Sequence, residues 1–125
     1  MVTFKLMEVN GNIAVYHYWV ENNEKENPDD YGTLAFDMET KNSETPEVAP
    51  GDCWNTLTVE DLMKEREWMN QQRKEEGRPP LTDGEYPLPK HDLHFTNYGQ
   101  MAYVEIKRAF ERMGELPKDG GNIWY

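Results

Sequence analysis

The sequence predicts an α+β fold, in which a small antiparallel sheet of three to five strands packs against a C-terminal helix, with one further helix in an insertion. Three observations lead there. Apolar residues alternate at period two through the first half of the chain. After Thr58 the period changes to three and four, with capping residues at the right places. A last periodic stretch, from about Asn97 to Met113, has the clearest buried face. The 125 residues are expected to form a single domain, β-rich over 1–52, with a helical and proline-rich insertion over 53–95 and a core helix plus terminal strand over 96–125.

Residues 3–20 read as a hairpin. Asn10-Gly11 suits a two-residue type I′ turn, whose central positions both need positive φ. That turn pairs Val9 with Asn12, Met7 with Ala14, Leu6 with Val15 and Phe4 with His17. Phe4, Leu6, Ile13, Val15, His17 and Trp19 then share the core face, and Met7, Ala14, Tyr16 and Tyr18 the other. On this reading His17 is a hydrogen-bonded structural histidine. Residues 21–30, ENNEKENPDD, form a polar loop that lacks the Asx spacing and central glycine of an EF-hand. Tyr31–Met38 is a third strand, with Leu34, Phe36 and Met38 alternating against Thr33, Ala35 and Asp37. Ser43–Val48 reads as an edge strand, because Pro46 cannot sit in the middle of a sheet.

The helix that follows has agreeing start signals: Thr58 as cap, Asp61 three residues on, and Leu57 placed to staple onto Leu62. Glu60 and Asp61 suit its positive end, and Arg73 and Lys74 its negative end. Gly77 and Pro79-Pro80 stop it. Its apolar stripe of Val59, Leu62, Met63 and Met69 is thin, interrupted by Arg66 and flanked by Trp68, so it is expected along the domain's edge. Arg78–Pro89 is extended, with a turn at Asp83-Gly84. Ala102, Ile106, Ala109, Phe110 and Met113 line the final helix, Gly114 ends it, and Ile123–Tyr125 is expected to dock as a short strand.

Composition narrows the function classes. Four Trp, seven Tyr and four Phe indicate a folded chain. No apolar run approaches the length of a membrane span, and MVTFKLMEV alternates instead of forming a signal-peptide block. Cys53 is the only cysteine, which excludes an internal disulfide and suits a reducing cytoplasm. The formal charge of −11 disfavours direct contact with nucleic acid. No cofactor motif is present.

FKLMEVNGNIAVYHYWVEN, then YGTLAFDMETKNSE, and finally GELPKDGGNIWY, occur in an order that resembles a family of small uncharacterised proteins of Gram-positive bacteria. The resemblance covers about residues 3–52 and 96–125, and it implies an N-terminal hairpin, a C-terminal helix and a Trp-Tyr ending. It makes 53–95 an insertion and implies no activity.

The chemically suggestive stretch is HDLHFTNYG, from His91 to Gly99. His91 and His94 are the candidate metal ligands, but the upstream Pro87 and Pro89 favour an extended backbone that points them apart. A zinc site also needs further ligands, for which only Cys53, His17 or Asp92 are available. Asp92 and His94 resemble the final Asp/His block of GDSL-type esterases. The aspartate there commonly lies three residues before the histidine, whereas here it lies two before, and Ser43 is the only serine. Cys53 is a candidate nucleophile whose neighbour Asp52 works against thiolate formation. Thr96 or Asn97, with Gln100, otherwise makes this stretch a capped helix entrance, with a local Asp92–His94 bond.

Three function classes follow. The first is a non-enzymatic cytoplasmic module that binds another protein through Tyr16, Tyr18 and Trp68. The second is an acidic mimic or inhibitor of a nucleic-acid-binding protein from a mobile element. The third is a small hydrolase or metal-dependent enzyme centred on His94.

Overall fold

The structure, a computed structural model, describes residues 1–123. It is α+β, with a five-stranded antiparallel sheet, a second sheet of two strands, and a C-terminal helix. The chain divides into two compact units, one made of Met1–Trp54 and the chain from Phe95 onward, the other of Asn55–His94.

In the first unit, β1 (Val2–Asn10) and β2 (Ile13–Val20) form the hairpin. They are followed by a single helical turn, α1 (Asn23–Glu26), then by β3 (Gly32–Asp37) and the edge strand β4 (Ser43–Glu47). The hairpin differs from expectation at its turn. Asn10 pairs with Ile13, so Gly11-Asn12 is the loop, and only Gly11 has positive φ, at 59°. Glycine at the first central position is the mark of a type II′ turn. Further along, one extra residue at Met7 bulges the strand, so that Leu6 pairs with Tyr16 while Glu8 pairs with Val15. Phe4 therefore faces Tyr18, not His17.

That shift inverts β2, because side chains alternate at period two. The core face carries Ala14, Tyr16, Tyr18 and Val20, all buried, whereas Ile13, Val15 and His17 point outward. Trp19 also points outward but is only 5% exposed, and its indole N–H donates to the Pro28 carbonyl at 2.9 Å. The inner face of β2 meets Val2, Phe4, Leu34 and Phe36, and α3 (Tyr98–Met113) closes the core with Ala102 and Ile106. Phe36 meets Phe110 edge-on at 5.7 Å. The phenols of the core keep partners, Tyr16 donating to the Pro117 carbonyl at 2.6 Å.

The sheet order is β4-β3-β2-β1-β7, with the terminal strand β7 at Asp119–Asn122. β7 ends just before the strand expected at Ile123–Tyr125, of which Ile123 is outside β7 and 68% exposed, while Trp124 and Tyr125 fall outside the described residues. A Cβ on Gly120 would come within 2.7 Å of the Phe4 ring, so the glycine lets this strand lie over the aromatic side chain of β1.

The second unit consists mainly of α2 (Val59–Glu75) and the proline segment after it. Short strands β5 (Trp54–Leu57) and β6 (Leu93–Thr96) form the two-stranded sheet where the chain leaves and re-enters the first unit. No residue between 55 and 94 is buried; the entire hydrophobic core belongs to the first unit.

Candidate functional site

Two side chains start α2. Thr58 Oγ1 accepts the Asp61 amide at 3.0 Å, and Asp92 Oδ1 accepts the Val59 amide at 2.9 Å. Each occupies one of the N–H groups that a helix start leaves without an internal partner. Polar contacts hold the proline segment along the helix. Asn70 accepts the Leu81 amide at 2.7 Å, Arg66 pairs with Asp83 at 2.7 Å, and the Tyr86 hydroxyl donates to Glu65 at 2.9 Å.

Between helix and segment runs a groove of about 580 Å³, lined by Trp68, Met69, Gln72, Arg73, Glu76, Arg78, Leu81 and Glu85. The helical residues recur at steps of one, three and four, and so make one face of the second half of α2. Trp68 is 64% exposed at this groove, far more than a large aromatic retains in a packed core. Arg73 reaches Glu85 at 3.7 Å, while its Nε and Nη1 atoms are shielded from solvent with no hydrogen-bond partner. The Thr82 backbone amide, then its hydroxyl, and Arg73 hold the Glu85 carboxyl below the usual carboxylate range. The site thus combines an apolar surface (Trp68, Met69, Leu81) with two arginines and two carboxylates around it.

The three aromatic candidates separate. Trp68 is exposed, but Tyr16 and Tyr18 are fully buried on the face that the register shift turned inward, so neither offers a surface contact. Burial pushes both phenols well above their ordinary pKa. His17 instead stacks on Tyr31 with ring centres 3.7 Å apart, at the outer face of the sheet. Burial lowers its pKa, and the nearby Glu47 carboxylate acts in the opposite sense.

HDLHFTNYG is taken up by hydrogen bonds that differ from those expected. Asp92 serves the start of α2, and His94 Nδ1 lies 3.0 Å from Thr56 Oγ1 across the small sheet; the Asp92–His94 pair is replaced by these two bonds. His91 is exposed. Among the described residues, no three His, Cys, Asp or Glu side chains converge as metal ligands would. Cys53 is exposed, with Asn97 Nδ2 donating to its sulfur at 3.3 Å.

The entrance to α3 is capped from a distance. Asp52 Oδ1 accepts the amides of Asn97 and Tyr98, each at 3.0 Å, and Oδ2 accepts that of Gly99 at 3.0 Å. Asn97 stands at the cap position without a side-chain cap bond, which corrects the expected Thr96/Asn97 cap with Gln100. The Tyr18 hydroxyl donates to Asp52 Oδ2 at 2.8 Å and accepts the Ala49 amide at 3.0 Å. Asp52 therefore joins β2, the segment after β4 and α3. A carboxylate at a helix start is favoured by the helix dipole as well as by its bonds.

Sequence reasoning reached Trp68 but not the remainder of the groove. Trp68, Met69, Gln72, Arg73 and Glu76 do share one helical face in the sequence, and that spacing was the available signal. The contribution of Leu81 and Glu85 depends on how the proline segment folds back, which no local pattern reveals. Compared with protein-family models, curated proteins and solved structures, the chain matches none.

Proposed function

We propose that the protein is a non-enzymatic binding module whose α2 unit receives a segment of another protein in the Trp68 groove. The observation that carries this reading is the exposure of Trp68 over a groove of about 580 Å³, on a helix with no buried residue. Exposed tryptophan and arginine around an apolar depression are the residue types that anchor protein contacts. A partner's apolar side chain fits against Trp68, Met69 and Leu81, and its polar backbone faces Arg73 and Arg78. Such a partner would supply the buried apolar area that the unit lacks by itself. Under this reading the chain works in a reducing cytoplasm, where exposed Cys53 remains a thiol.

The test is site-specific photo-crosslinking in the cells that make the protein. A benzophenone side chain at position 68 should give a discrete protein adduct that Leu81→Asp abolishes, while the same probe at Glu111 gives none. Equal adducts from both positions, or an adduct indifferent to Leu81→Asp, would contradict the proposal.

A further inference from the structure

The five-stranded sheet has α3 on one face only. On the other, the register places Ile13 beside Asp37, Val15 beside Ala35, and Ala35 beside Glu44. These positions alternate with the buried Ala14, Leu34 and Phe36, so they point away from the core. Ile13 is exposed, and Val15 and Ala35 are partly so. Ile13 and Ala35 floor a hollow of about 350 Å³, walled by Asp37, Asn42, Ser43 and Glu44. The loop after β2 covers Trp19 at the opposite end of the strand but leaves this end open.

We propose that this sheet face, separate from the α2 groove, docks an extended basic segment of another protein. A lysine or arginine stem lies on Ile13 and Ala35, with its charged end beside Glu44 and Asp37. The choice of occupant rests on charge complementarity. Around the apolar strip stand Glu8 (paired with Val15), Asp37, Glu44 and Glu47, and the outward base is Lys5. The Glu8 and Glu44 side chains form no ion pair or hydrogen bond among the described residues, so an incoming cation displaces no existing partner. Asp37 Oδ1 already accepts the Glu39 and Thr40 amides and keeps the turn beside the hollow in place. Long basic side chains suit such a surface, since their methylenes cover apolar area while the charge reaches the rim. A second copy of this chain does not fit, because a twofold contact through this face would set its carboxylates against themselves. Nucleic acid is repelled by the same charges.

The experiment titrates the full-length chain, isotope-labelled for NMR, with a short peptide alternating arginine and valine. Chemical-shift changes should centre on Ile13, Ala35 and Glu44. Glu44→Lys should raise Kd about tenfold or more, Ile13→Ser should also weaken binding, and Glu67→Lys on α2 should change Kd less than about twofold. Shifts spread over the acidic surface, equal weakening by Glu67→Lys, or no binding at low salt would overturn the proposal. Because the probed surface and the α2 groove share no residue, either reading can fail alone.

Discussion

Asp52 is the residue on which the first unit depends most locally, since its two oxygens satisfy three amides at the start of α3 and the Tyr18 hydroxyl. Replacing it by alanine leaves those donors without their charged acceptor, beside a buried ring. Asp52→Ala should lower unfolding stability by about 2–4 kcal/mol in urea titrations, with Asp52→Asn costing less. Nothing in the sequence marked these bonds: Asp52 read only as the neighbour of Cys53, and its partners lie 34 residues away at Tyr18 and 45 to 47 residues away at Asn97, Tyr98 and Gly99. His17 gives the second test at this scale. Burial lowers its pKa below the ordinary 6.5, so the unfolded chain takes up the proton first. The contribution from neutral His17 is therefore complete above that ordinary value and is lost as pH falls through it toward the folded pKa. Melting curves between pH 7.5 and 5 should show a smaller loss of Tm for His17→Phe than for the natural chain; an equal loss would remove His17 from the acid response.

The elements were read from the sequence with uneven success, and the reasons are physical. β3 was legible because Leu34 and Phe36 alternate with smaller or polar residues, and the α2 start because Thr58 and Asp61 sit where a cap needs them. The hairpin was found but its register was not. Both faces of β2 are apolar, so pattern could not choose between Ile13-Val15-Trp19 and Ala14-Tyr16-Tyr18, and one bulged residue at Met7 decided it. The strands β5, β6 and β7 are four residues each, and neither the single alternation of Leu93 and Phe95 in β6 nor the Asp-Gly-Gly-Asn of β7 is long enough to read as a strand. α2 has good caps but no buried side chain, and local stability follows buried contacts more than propensity. Hydrogen exchange should therefore show α2 amides exchanging roughly a hundredfold faster than those of Tyr16 and Leu34. Equal protection would mean that the helix shares the global stability.

Across the whole molecule, the apolar core and the exposed groove lie in different parts of the chain. Residues 1–54 and those from 95 onward bury Val2, Phe4, Tyr16, Tyr18, Leu34, Phe36, Ala102 and Ile106, whereas residues 55–94 bury none and expose Trp68. A chain of charge −11 already carries self-repulsion, so a coreless excursion adds little that holds the fold. The role proposed for it is contact with a partner. The most direct measurement replaces Asn55–His94 by a short Gly/Ser linker and follows thermal unfolding by circular dichroism. The sheet and α3 should still unfold in one cooperative transition, with Tm displaced by no more than about 4–8 °C, the shift that roughly 1 kcal/mol produces in a domain of this size. Loss of the cooperative transition would show that the excursion is part of the folding core and would contradict its assignment to binding.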